Sequence, residues 1–351
     1  MSRNPDSVAS LSPVFSVRSH ANDSSPRRRE VIAVVILMDN AEATEKHFRA
    51  LLEQAAPNAD IIMCRMECAE ADLDKENPHY FKDKTRYLLR EHIQKWQDVI
   101  GVQHLDQVIV TGINRGSLSY AELETEYPLF WNEFKSLMHQ IDATTTSGQT
   151  GHGFLVCWAA IAGAYVLEGV KKNIYPNKLY GVYDHQIVEP RHELLTGLGG
   201  CNFRIPHSRF SYMDETELTT AIERAEGRVI LRGPDGPALW TMHHDRIAAI
   251  IGHPEYGEST LQNEYKRDRA KFREQTGDPD GDIPVPENYE YGSEETSNDF
   301  KYLKKTLSPT FYHNLVRLAI QRKNEANARE EIEKNQSSEV PNGLLHFAFQ
   351  A

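Results

Sequence analysis

No stretch of about 18 consecutive apolar residues occurs in this chain, so nothing in it reads as a membrane-spanning helix. Cysteine is scarce, with four in 351 residues. Only Cys64 and Cys68 are close in sequence. That pattern excludes a disulfide framework and points to a reducing compartment, the cytoplasm. The Cys64/Cys68 pair lacks two further ligands at a matching spacing, so no metal site is expected. Positive charge is in the minority: 39 lysines and arginines face 51 aspartates and glutamates, a formal net charge of -12. This balance excludes general nucleic-acid binding and leaves room for a local basic pocket that takes an anionic ligand. Residues 1–29 lack the apolar core of a signal peptide and are rich in Ser, Arg and Asn, so they read as a disordered tail. No internal repeat is found.

What the chain does have is an alternation of two periodicities. Val31 to Leu37 is a continuous apolar, β-branched run, the pattern of a central parallel strand. Glu42 to Gln54 has helical spacing, and Ala59 to Met66 reads as a second strand. Tyr80 to Val99 reads as a surface helix, Gln107 to Thr111 as a strand, and Glu126 to Ile141 as another helix. Strand–helix alternation of this kind predicts an α/β fold with a mostly parallel sheet flanked by helices. The second half is richer in strands: Leu179 to Val188, Arg228 to Leu231, Leu239 to Met242 and Arg246 to Ile251. His243-His244-Asp245 reads as a hairpin turn. Ser259 to Glu274 and Thr310 to Asn335 read as helices, and Gly277 to Asp299 as a long acidic loop. Tyr289 stands where a calcium loop beginning at Asp278 would need its last glutamate, so that loop is read as a solvated turn. Three segments follow: the tail 1–29, a catalytic domain over 30–320, and a charged helix end with C-terminal tail over 321–351. Leu344 to Ala351 is apolar and would dock on the body or on a second subunit, as in a homodimer.

One stretch concentrates the chemistry. Gly153 to Gly169, GFLVCWAAIAGAYVLEG, is a short apolar strand, a cysteine, and a helix apolar on most sides. Cys157 therefore stands at a strand-to-helix junction, where the nucleophile elbow of acyl-transfer enzymes stands. The helix behind it favours negative charge and offers backbone N–H groups to an oxyanion. A buried core cysteine is the other reading of the same residues. Ligands in open α/β sheets bind beyond the carboxyl ends of strands, and Met38-Asp39-Asn40, Thr111-Gly112 and Cys157 all fall at such ends. A thiol nucleophile needs a base and the base an orienting acceptor. His253 ends an apolar strand, and Glu255 two residues on can share its face.

Several segments together resemble the homoserine O-succinyltransferase/O-acetyltransferase family. They are VIVTGINRGSL (108–118), FLVCWAA (154–160), NKLYGVYDH (177–185), IPHSRF (205–210), IGHPEYGESTLQNEYKRD (251–268) and VPENY (285–289). The resemblance implies a class I glutamine amidotransferase-like fold and transfer of a succinyl or acetyl group from acyl-CoA to the hydroxyl of homoserine or a similar amino acid. It implies Cys157 as the acyl-carrying nucleophile, His253 as general base and Glu255 as its acidic partner. It places Lys178, Ser208 and Arg267 around the substrate. Gly116 matches the position that sorts donors, and glycine there resembles the succinyl-using members. The Trp158 backbone N–H would serve the oxyanion. No bound cofactor is implied; acyl-CoA is a co-substrate, and the partners are small molecules. Several features depart from the family pattern, and one is that the segment before Cys157, ATTTSGQTGHG (143–153), is longer than usual. Met38-Asp39-Asn40-Ala41 stands where a Pro-Lys-Lys segment is usual, and a Trp-Arg-Ser-His stretch is not recognisable in 300–320. The same fold also hosts glutaminases and hydrolases, and a non-catalytic relative would share these motifs.

Overall fold

The computed structural model describes residues 29–38, 40–70 and 85–338. In chain order its strands and helices are β1 (Val31–Val35), α1 (Ala41–Ala55), β2 (Asp60–Arg65), α2 (Thr85–Leu88), β3 (Ile93–Lys95), β4 (Leu105–Val110), α3 (Tyr120–Glu126), α4 (Pro128–Thr146) and β5 (Thr150–Val156). Then follow α5 (Trp158–Glu168), β6 (Lys172–Ile187), β7 (Phe203–Met213), α6 (Glu215–Arg224), β8 (Val229–Gly233), β9 (Gly236–Met242) and β10 (Ile247–Ile250). The chain continues through α7 (Thr260–Thr276), α8 (Glu294–Tyr302) and α9 (Ser308–Ser338), the last two joined by a π-helical turn, Leu303–Leu307.

The strands form a sheet in the order β3-β2-β1-β4-β5-β10-β9-β8-β6-β7. From β3 to β10 every pairing is parallel; from β10 outward every pairing is antiparallel. The sheet is therefore mostly parallel in its first half, with the β-rich addition in the second. β4 and β5 are buried along their whole length, although Asp106, Gln107, Thr150 and His152 interrupt their apolar residues. Alternation along β5 covers both faces. Phe154 meets Phe311 and Tyr312 of α9, whereas Leu155 packs under Gly163 of α5. α5 is buried from Trp158 to Ala164, as its lack of a polar face requires. α9 runs without a break past residue 320. Beyond it Arg322 reaches Asp245 at 3.3 Å and Lys323 reaches Asp106 at 2.8 Å.

Several expectations need correction or extension. The surface helix over Tyr80–Val99 is not there in its described part: α2 is four residues long, and Ile93–Lys95 is the edge strand β3, parallel to β2. Its apolar residues Leu88, Ile93 and Trp96 are buried by the neighbouring layer and do not form one helical stripe. Residues 71–84, including the start of that expected helix, lie outside the described residues. The helix expected over 126–141 is α4, which starts at Pro128, a residue suited to the first position of a helix, and runs on to Thr146; the short α3 before it was not expected. The loop over 277–299 contains the start of α8, where the Ser293 side chain accepts from Thr296 N–H as an N-cap. Strand β7 was not expected at all. The turn at 243–245 is as read, with positive φ at His243, His244 and Asp245 between β9 and β10.

Candidate active site

The parallel pairing of β5 with β10 sets Val156 opposite Ile250. Cys157 then comes one residue past its strand and His253 three past the other, at the same carboxyl edge. The Cys157 N–H donates to the Ile250 carbonyl at 2.7 Å, which ties the two ends together. Cys157 has φ 54° and ψ -114°. That conformation costs a non-glycine residue on the order of 1–3 kcal/mol and is the mark of a sharp strand-to-helix turn that aims the side chain outward. The thiol is buried. Gly112, just past β4, backs onto it: a Cβ there would lie 3.0 Å from the Cys157 Cβ and 3.5 Å from its Sγ. Only glycine lets that loop come so close.

Cys157 and His253 are in hydrogen-bonding contact. On the other side of the ring, His253 Nδ1–H donates to Glu255 Oε1 at 2.7 Å. Burial by itself would push the imidazole's pKa down. The charges of Cys157 and Glu255, with the hydrogen bonds to both, outweigh burial and hold His253 well above its ordinary value. The loop is fixed by His253 N–H to the Pro206 carbonyl at 2.8 Å. Gly252 makes this approach possible, since a Cβ there would meet Ile205 at 2.7 Å and His207 Nε2 at 3.1 Å. α5 starts at Trp158, so its N–H has no carbonyl one turn back to bond and is free to serve an oxyanion.

A second polar group adjoins the first through Tyr256. Its ring stacks on His253 with centroids 4.1 Å apart, and its hydroxyl donates to Glu264 Oε1 at 2.9 Å. The other oxygen of Glu264 accepts from Ser208 Oγ at 2.5 Å, and Lys178 Nζ stands 3.8 Å from it. Lys178 also donates to Asp268 Oδ2 at 2.8 Å, and Arg267 bonds Asp268 Oδ1 at 2.8 Å through Nε. Burial would raise the Asp268 carboxyl; the bonds from Arg267 and Lys178 outweigh it and keep the group below the usual range. The arm of β6 and β7 thus leans Lys178 and Ser208 over one face of α7, where Glu264 and Asp268 lie one turn apart. Arg267 is half exposed, its guanidinium open to solvent beside this cluster.

The structure therefore brings Cys157, His253 and Glu255 into one contact chain, with Lys178, Ser208 and Arg267 in the adjoining cluster. Gly116 lies on the far side of Trp158: a Cβ there would meet Ser211 Oγ at 3.3 Å and Trp158 Cδ1 at 4.0 Å. Tyr256, Glu264 and Asp268 were missed as site residues. The i, i+4 spacing of Glu264 and Asp268, both within a segment already singled out, was the available signal. Asp39, in the segment that departs from the family pattern, lies outside the described residues. Among the described residues no group of three or more His, Cys, Asp or Glu is placed to hold a metal ion, and no helix is long and apolar enough to cross a membrane.

Comparison with known proteins identifies relatives of the whole chain. A homoserine O-succinyltransferase of Shewanella loihica is 27% identical over 81% of this chain and 83% of its own length. A homoserine O-acetyltransferase of Bacillus cereus is 28% identical over 79% of this chain and 81% of its own. Among solved structures, a glutamine amidotransferase of Thermotoga maritima is 12% identical and overlaps 83% of this chain and 99% of its own with a TM-score of 0.48, too loose an overlap to place any residue. The family model for homoserine O-succinyltransferase matches residues 6–325, nearly the whole sequence, and the chain belongs to that family.

Proposed function

We propose that this protein is an acyl-CoA-dependent O-acyltransferase that carries a succinyl or acetyl group on Cys157 and passes it to the hydroxyl of homoserine or a similar amino acid. Residues 30–320 form the catalytic domain. The Cys157 thiolate attacks the thioester carbonyl, and the oxyanion takes the Trp158 N–H and a second N–H from the loop at Gly112. The carbon–sulfur bond to CoA breaks, and the leaving thiolate takes its proton from His253. The acceptor hydroxyl then gives its proton to His253 and attacks the acyl-cysteine; the new ester forms and the Cys157 thiolate leaves. Glu255 stabilises the imidazolium in both steps. An amino-acid acceptor needs a cation for its carboxylate and an anion for its ammonium. Arg267 supplies the first as a two-pronged donor, and Glu264 with Asp268 supplies the second. Gly116 leaves room for the longer acyl group.

One observation carries this reading: the Cys157–His253–Glu255 chain is joined through Tyr256 to a cluster that holds both signs of charge. Free CoA released from succinyl-CoA or acetyl-CoA, with and without homoserine, tests it. The expected result is homoserine-dependent release, with Arg267→Ala raising the homoserine KM at least tenfold, roughly the loss of one charge-assisted contact. Ammonia release from glutamine with no CoA release from either donor would contradict the reading and favour a glutaminase.

A further inference from the structure

Glu255 uses only half of its carboxylate on His253. The other oxygen, Oε2, is buried and has no protein partner. A buried carboxylate oxygen without a donor is costly, and one left loose would orient the base poorly. A donor stands on α9. The Tyr312 side chain is fully buried, and its hydroxyl too has no protein partner. α9 is pinned to the same loop one turn earlier, where Ser308 Oγ donates to the Pro254 carbonyl at 2.5 Å. Ser308 and Tyr312 are four residues apart and share a helical face. Pro254 and Glu255 are consecutive, so the anchor brings the Tyr312 face to Glu255. The Glu255 charge acts on the phenol, which burial and that charge hold well above its ordinary pKa, so the hydroxyl keeps its proton and remains a donor.

We propose that Tyr312 is a positioning residue of this site, whose hydroxyl serves Glu255 Oε2 through one buried water and so fixes the carboxylate that orients His253. A water with two such partners satisfies both orphaned groups at once. The Tyr312 ring is held at a fixed angle by edge contacts with Phe48, centroids 6.3 Å apart, and Phe154, 5.9 Å apart. This inference rests on the triad of the proposed function and adds a fourth member to it.

The test uses Tyr312→Phe, which keeps the ring and its edge contacts and removes only the hydroxyl. The pH profile of Cys157 alkylation by iodoacetamide needs no substrate and reads the triad directly. The charged and titratable groups that bear on it are Cys157 at the head of α5, Glu255 and Tyr256 of the loop after β10, His207 of β7, His47 of α1 with Lys304 beside it, and Tyr312 itself. Without the hydroxyl the Glu255 charge is less shared and stabilises the imidazolium more, so the alkaline limb is expected to move to higher pH. A base that gives up its proton less readily, on a looser carboxylate, lowers kcat roughly tenfold with both KM values unchanged. Ser308→Ala should give the same shift to a smaller extent. An alkylation profile identical to wild type in Tyr312→Phe would overturn the inference, even if the melting temperature falls, because a packing role alone leaves the profile in place. Failure of acyl transfer in the wild-type protein would instead overturn the proposed function, and the alkylation profile would still decide on Tyr312.

Discussion

Cys157 holds a backbone conformation that few residues adopt, at φ 54°, and everything around it maintains that choice. Its N–H is tied to Ile250, its carbonyl accepts from Ala160 and Ile161, and Gly112 presses on its side chain. The last contact yields a sharp expectation. Gly112→Ala would set a methyl 3.0 Å from the Cys157 Cβ, and the thiol must then shift by a few tenths of an ångström or more. A misplacement of about 1 Å at a reacting atom costs about a hundredfold in rate, and a smaller one correspondingly less. Steady-state kinetics on Gly112→Ala should therefore show kcat reduced between roughly tenfold and a hundredfold, with far-UV circular dichroism unchanged. Wild-type kcat in this variant would mean that the loop yields freely and does not set the thiol. The junction itself was legible in the sequence, because an apolar run, a cysteine and an all-round apolar helix leave few other arrangements. The contacts of Gly112 and Tyr256 were not legible: one is a backbone approach across two strands, and the other a stack across a turn.

Among the elements, β5 and β10 matter most. They are far apart in sequence yet adjacent and parallel in the sheet, and that pairing brings Cys157 and His253 together. Each strand was readable by itself. Their adjacency was not, since pairing partners in a ten-stranded sheet are set by packing of the whole. β7 escaped notice because polar His207, Arg209 and Ser211 are buried along it, satisfied by His185, Asp235 and Gly116. Buried polar residues break the pattern that a sequence reading relies on.

At the opposite end of β10, the turn after β9 is clasped by His243. Its Nδ1 bonds Asp142 of α4 at 2.6 Å and its Nε2 bonds Glu168 of α5 at 2.8 Å. The bond to Asp142 raises the His243 pKa above its ordinary value; burial opposes this, and Glu168 reinforces it. Arg224 lies on Glu168, and Arg246 and His139 lie near Asp142. A raised folded-state pKa stabilises the fold fully below the unfolded value of about 6.5, and the gain is lost as pH rises through the folded value. His243→Gln should therefore lower stability by about 1–3 kcal/mol near pH 5.5, with the gap closing as pH is raised. Denaturant melts at several pH values measure it, and a gap that is constant with pH would count against a charged clasp.

Taken as a whole, the molecule carries a net charge of -12 while Lys178 and Arg267 stand together beside the site. Both cations are ion-paired with Asp268, and Lys178 also faces Glu264, so the cluster presents both signs of charge and is not a positive patch. The α/β architecture and the family were legible in the sequence because both rest on local patterns. The choice of acyl group was not, and relatives named for succinyl and for acetyl transfer are almost equally similar to this chain. In the proposed function that choice is made at Gly116, where a Cβ would meet Ser211 and Trp158, contacts that no periodicity reports. The central claim is nonetheless independent of it: Cys157 carries the acyl group as a thioester. Intact-protein mass spectrometry after brief exposure to succinyl-CoA, and separately to acetyl-CoA, reads this directly. The account predicts a single adduct of one acyl group that is absent in Cys157→Ala and disappears from the wild-type protein when homoserine is added. An adduct of the same mass in Cys157→Ala, or one that homoserine does not discharge, would contradict it.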